Sequence, residues 1–160
     1  MTDADWEARV AAVWNGAAEL GDDEVLEAID DLVIERGRED AAAIFEAASV
    51  RDYLGRESEA EPFYRRALEL GLDDVRHPQA IIQLASTLRN LGRADEAVTI
   101  LRGWIVRHPE HPLADSGRAF LALSLLSAGH DREAALVAIR TLAPSLPQYA
   151  AAVAEYAEEL

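Results

Sequence analysis

The chain contains no cysteine and no lysine. Without thiols, disulfides, thiolate metal sites and thiol catalysis are all excluded. Without lysine, all 15 basic side chains are arginine. Together with abundant alanine, that bias points to a GC-rich bacterial genome. No apolar run reaches the roughly eighteen residues that a membrane-spanning helix needs, so no membrane partner is expected. The opening stretch, MTDADWEARV, lacks a basic region followed by an apolar one, so it does not read as a secretory signal. A cytoplasmic location is the expectation that follows.

Several chemical signatures are missing as well. The nine glycines are scattered, and none builds a phosphate-cradling loop or a nucleophile elbow around a serine. The histidines are His77, His108, His111 and His130. Only His108 and His111 are close in sequence, in HPEHP. Prolines flank both, so they lie in a joint without helical register, and no second cluster completes a ligand set. Neither a metal nor a cofactor is expected. Trp6, Trp14 and Trp104 stand at helical positions and read as packing residues.

Charge is abundant but one-sided. The 160 residues carry a formal net charge of −15. Residues 1–61 hold 18 acidic and 5 basic side chains, a balance of −13, whereas residues 62–160 hold 12 and 10, a balance of −2. A field of that sign repels phosphate backbones, which excludes nucleic acid as a natural partner. The dense run Asp22, Asp23, Glu24, Glu27, Asp30 and Asp31 has helical spacing. It lacks the glycine and closing glutamate of a calcium loop. It reads as a solvated helical face, with docking of a basic partner as the alternative.

What is present is helical periodicity almost everywhere. Ile81, Leu84, Ala85, Leu88 and Leu91 share one stripe, and Val98, Leu101 and Ile105 another. No stretch alternates with period two, so strands are not expected. The punctuation predicts nine helices, near 3–19, 23–36, 39–54, 58–70, 78–91, 94–107, 113–128, 131–143 and 146–159. AFLALSLLSAG, apolar around most of its circumference, is expected to be the most buried. Gly21, Gly55, Gly92 and Gly129 are placed to end helices in the left-handed conformation. Ser58 with Glu61 reads as a capping box that puts Pro62 in the first turn, and Asp131 reads as a cap.

The decisive pattern is repetition. Gly55, Gly92 and Gly129 are 37 residues apart, and so are Ala60, Ala97 and Ala134. Ala48, Ala85 and Ala122 keep the same interval. Small residues at these points let two helices approach closely, and stacked pairs bury what one pair cannot. In these residues the chain resembles the tetratricopeptide repeat family, and YRRALELGLDDVRHPQAIIQLASTLRNLGR resembles its bacterial group-five domain. The period here is 37 rather than 34 residues, and Trp104 and Thr141 replace a typical alanine.

The resemblance implies one all-α helical-repeat domain over 1–160, a right-handed superhelical solenoid of helix pairs. Its units would be 41–77, 78–114 and 115–151, with 1–38 a diverged pair and 146–160 a capping helix. It further implies that the first helices of successive pairs line a concave groove. By position matching, partner-binding candidates are Asp52, Tyr53, Gln79, Gln83, Ser86, Arg89 and Asn90. Phe45, Ser49, Ile82, Ser116, Ala119, Leu123 and Leu126 would lie on the same face. Amides and a guanidinium suit a peptide backbone or a carboxylate. The lysine-based carboxylate clamp known in the family has no counterpart here.

The expected function is a non-catalytic scaffold or adaptor that binds a protein or peptide. The alternative is self-assembly, with the acidic N-terminal pair or the C-terminal helix docking a second copy. An enzyme acting on a small cationic substrate is the third reading, and no motif calls for it.

Overall fold

The computed structural model describes residues 2–159. Among them, all regular structure is helical, in nine α-helices and one 3-10 turn. They are α1 (Asp3–Gly16), α2 (Asp22–Arg36), α3 (Ala41–Tyr53), α4 (Glu57–Leu70), α5 (Arg76–Asn90), α6 (Ala94–Arg107), α7 (Ala114–Ser127), α8 (Asp131–Leu142) and α9 (Ala150–Ala157), with the 3-10 turn at Ala143–Ser145. The chain divides into two compact units, one ending at Ala80 and the other starting at Ile81, both inside α5.

Three tight turns share one geometry. Gly55, Gly92 and Gly129 have φ of 68°, 79° and 80°. In each turn the glycine N–H donates to the carbonyl three residues back, and the next N–H donates five residues back. Gly92 bonds Arg89 at 3.0 Å and Arg93 bonds Leu88 at 2.9 Å, with the same pairing at Gly55–Asp52 with Arg56–Arg51 and at Gly129–Leu126 with His130–Leu125. This double bond closes a helix with a left-handed residue that only glycine adopts cheaply. Arg56, Arg93 and His130 then lead straight into the next helix with nearly identical backbone angles (φ −101°, −104° and −96°; ψ 54°, 50° and 56°).

That geometry corrects three expectations. The residue after each glycine becomes the N-cap, so α4 starts at Glu57 and Ser58 with Glu61 forms no capping box. Pro62 therefore lies inside α4. The carbonyl it leaves unpaired belongs to Ser58, which is exposed, so the lost helical bond is not buried. Asp131 is the first helical residue rather than the cap, and its charge faces the positive helix end. Gly21 has an ordinary φ of −76° and opens α2 instead of closing α1, its N–H donating to Glu24 at 3.0 Å.

In the first unit, α1 packs on α2, and α2 on α3. Trp6 and Val10 pack with Val25, Ile29 and Leu32, and with Ala43 and Val50 of α3. Trp6 Nε1 donates to the Leu32 carbonyl at 3.0 Å, so the largest side chain there leaves no orphaned donor. α3 packs on α4, with Ala48, Ala60, Tyr64 and Ala67 fully buried. The longest buried run, residues 43–48, lies in α3. α7 is thus not the most buried helix: Leu123 is 46% exposed and Leu126 56%.

In the second unit, Leu84, Ala85, Leu88, Ala97, Leu101 and Leu125 are buried, and α6 packs on α7, which packs on α8. The α6–α7 seam rests on a size exchange. An added Cβ at Gly117 would lie 3.0 Å from the Trp104 ring, so the large residue is accommodated by the absence of a side chain opposite. The C-terminal segment differs from the expected 146–160 helix. Pro144 sits in the 3-10 turn, Pro147 follows it, and Tyr149 takes the left-handed conformation (φ 67°), which delays α9 to Ala150. α9 packs on α8 and on the 3-10 turn.

Candidate functional site

The polar residues of α5 form the first candidate. Gln79, Gln83, Ser86 and Asn90 follow the i, i+4, i+7, i+11 spacing of one helical face, and Arg89 flanks it. Gln79 belongs to the first unit and the rest to the second. Gln83, Ser86 and Arg89 are half-buried, and Asn90 is exposed. Arg89 Nη2 donates to Asn90 Oδ1 at 2.9 Å, which holds the guanidinium along the helix. Two atoms in this group are shielded from solvent and have no hydrogen-bond partner among the described residues: Gln83 Oε1 and Arg89 Nε. One is an acceptor and the other a donor. Ile82, matched to the same face, is buried and contributes packing.

The α3 candidates, Asp52 and Tyr53, are differently placed. Asp52 accepts the Tyr64 hydroxyl at 3.1 Å, which ties it to α4. Burial raises the Tyr64 pKa far above the ordinary phenol range, and the Asp52 charge adds to this, so the hydroxyl remains a donor. Tyr53 is 54% exposed, and its ring meets Trp14 edge to face at 5.8 Å. Phe45, from the same expected face, is buried.

Sequence reasoning missed the ionic centre of the first unit. Arg76 Nη2 donates to Glu7 at 2.5 Å, and its Nε lies 3.4 Å from Glu46. Glu46 is buried and also accepts Trp14 Nε1 at 2.8 Å. Burial raises the Glu46 pKa, and the bonds from Trp14 and Arg76 only partly offset it. Burial also works against the Arg76 charge, but the close contact with Glu7 outweighs it and keeps the guanidinium firmly protonated. The short Glu7 contact is the stronger of the two, and Glu46 is the weaker partner. The network joins α1, α3 and the start of α5, where Asp73 accepts the Val75 and Arg76 N–H groups at 2.9 and 2.8 Å. No sequence signal marks residues 69 apart as partners; only the buried position of Glu46 within an apolar stripe hints at one.

Clefts open in both units. One, of about 760 Å³, lies among α2, α3 and α4 and is lined by Val33, Ile34, Ile44 and Phe63. Arg51 crosses it, bonding both Asp30 oxygens at 3.0 Å and lying 4.7 Å over the Phe63 ring. Another, of about 790 Å³, runs between α7 and α8. Of the histidines, His111 Nδ1 accepts the Leu113 N–H at 3.0 Å, and its ring meets Trp104 edge to face. Among the described residues, no group of three histidine or carboxylate side chains is placed to hold a metal, and no helix is long and apolar enough to cross a membrane.

The Tetratrico peptide repeat family matches residues 41–160, the span that holds all three equivalent turns. The chain is a tetratricopeptide repeat protein. No curated protein matches it. Repeats of this family are typically protein-interaction modules.

Proposed function

We propose that this tetratricopeptide repeat protein is a non-catalytic, cytoplasmic scaffold or adaptor, and that it holds a peptide or protein segment along the polar face of α5. The supporting observation is the pair of shielded, unpartnered atoms, Gln83 Oε1 and Arg89 Nε, beside Ser86 and Asn90. A buried polar atom without a partner costs on the order of 1–3 kcal/mol. A polypeptide backbone offers both a carbonyl for the guanidinium and an N–H for the amide, so small side-chain rotations toward it would recover that cost. Asp52, Tyr53 and Gln79, in the first unit, are proposed as partner-binding residues on the family resemblance alone.

The test is affinity capture of bound proteins from native lysate, comparing the wild type with an Arg89→Ala/Asn90→Ala double variant. Recovery of the specific partners should fall at least tenfold while the helical circular dichroism and melting temperature are retained. Equal recovery from both proteins would remove the α5 face from consideration.

A further inference from the structure

We propose that the cleft among α2, α3 and α4 binds a small amphiphilic monocarboxylate, an apolar body about 10 Å long ending in one anionic group. The site shares no residue with the peptide-binding set.

Three helices shape the apolar part. α3 packs on both α2 and α4, and its Ile44 and Ala47, both buried, form the floor. Val33 and Ile34 of α2 make one wall, and Pro62 and Phe63 of α4 make the other. Ile34 is 76% exposed, so its aliphatic surface is open to a ligand. Pro62 has no N–H, so it adds apolar surface without a donor. The volume of about 760 Å³ falls in the range of small-ligand sites, roughly 300–1,000 Å³.

Ion pairs close both ends and set the size of the occupant. Arg51 of α3 bonds Asp30 of α2 at 3.0 Å and lies 4.7 Å over the Phe63 ring of α4, so it bridges one end. Arg66 of α4 bonds Glu39, in the joint between α2 and α3, at 2.6 Å and bridges the other. From Asp30 to Gly37, where α2 stops, the floor runs about 10 Å. A polypeptide helix, about 10 Å across with its side chains, would have to part both ion pairs to lie there. A single extended molecule fits between them.

Charge selects the polar end. The lining holds Arg38, Arg51 and Arg66 against Asp30 and Glu39, a local balance of +1 in a stretch whose residues 1–61 carry −13. Arg51 and Arg66 are committed to their carboxylates. Arg38 is exposed and has no ion pair among the described residues. It follows Gly37, whose φ of 90° turns the chain at the end of the cleft. The one uncommitted charge on the lining is therefore a guanidinium, whose fork matches a carboxylate. An ammonium would face it unfavourably, and a neutral end would leave it unused. A second copy, at −15, would be repelled as a whole and would also have to open both ends.

The probe is decanoate, titrated into the full chain by calorimetry below the concentration at which it self-associates. Decanoate should bind about fivefold more tightly than octanoate, and dodecanoate should gain nothing further, because the ends are closed. Decanol and decylammonium should each bind about fivefold more weakly than decanoate. Arg38→Gln should bring decanoate down to the level of decanol and leave decanol unchanged. Ile34→Glu should weaken both about tenfold or more. Both side chains are exposed, so the melting temperature should hold. Arg56→Gln, in the same unit but outside the lining, should have no effect. No decanoate binding, equal binding of all three head groups, or insensitivity to both cleft variants would overturn the proposal. So would a concentration-dependent dimer that Ile34→Glu disperses, since a second copy would then fill the cleft.

Discussion

Single residues set the seams of this protein, and the glycines among them act by what they omit. Gly117→Ala would push a methyl group to 3.0 Å from the Trp104 ring, and Trp104 is itself buried. Overpacking of this kind costs about 1–3 kcal/mol, and chemical denaturation should show that loss. Replacing Trp104 with leucine in the same variant should recover part of it, because the two sizes are matched. The turn glycines make a different prediction. Because their bonding is equivalent, alanine at Gly55, Gly92 or Gly129 should cost the same, about 1 kcal/mol each, seen as a fall of roughly 2–4 °C in melting temperature. Glu46 adds a pH signature. Its pKa is raised in the folded state, so the folded chain binds its proton more readily than the unfolded one. The stability it contributes is therefore greatest below the ordinary glutamate value and is lost as pH rises through the folded value. Relative to Glu46→Gln, the wild type should gain stability as pH falls from 7 toward 4.5. A gap between their urea midpoints that does not change with pH would contradict this.

At the level of helices, the sequence and the structure agree most closely where local chemistry decides. Eight of the nine helices start and end within three residues of the periodicity reading, because apolar stripes and glycine stops act locally. The errors have a common origin. Ser58 and Asp131 have good capping chemistry, yet each preceding turn fixes the helix start one or two residues earlier. At the C-terminus, prolines 144 and 147 prevented the helix that composition favoured. α7 read as the most buried helix because composition cannot show which side of an apolar helix its neighbours leave uncovered. Of the candidate site, the α5 stripe was legible as spacing. Asp52 was not legible as a partner of Tyr64, nor Arg76 as a partner of Glu7, because such pairs form only after distant helices pack. The start of α5 gives an element-scale test. Asp73 accepts two backbone N–H groups and its pKa is lowered, burial opposing and these bonds prevailing. Asp73→Ala should cost about 1 kcal/mol at pH 7, and that cost should shrink as pH falls through the lowered value.

Across the whole molecule, charge and periodicity are the governing facts. Residues 81–160 hold 9 acidic and 7 basic side chains, nearly balanced, while residues 1–61 carry −13. In the first unit, arginines 9, 36, 51, 66 and 76 all have carboxylate partners, so a surplus of acid remains. A labelled DNA duplex should accordingly give no anisotropy change at about 0.01 M salt, where the Debye length is about 30 Å and the repulsion is least screened. The three equivalent turns carry a different kind of consequence. A cut made at one glycine and rejoined at the next removes a complete cassette and leaves an intact hairpin, so copy number can change without any new loop having to be invented. The mismatch would instead arise at the facing side chains: joining Gly55 to Arg93 would set Leu101 where Tyr64 stands, with no hydroxyl to meet Asp52. Lengthening or shortening such a chain is therefore limited by the fit of side chains across its joints, while its backbone is already standardised.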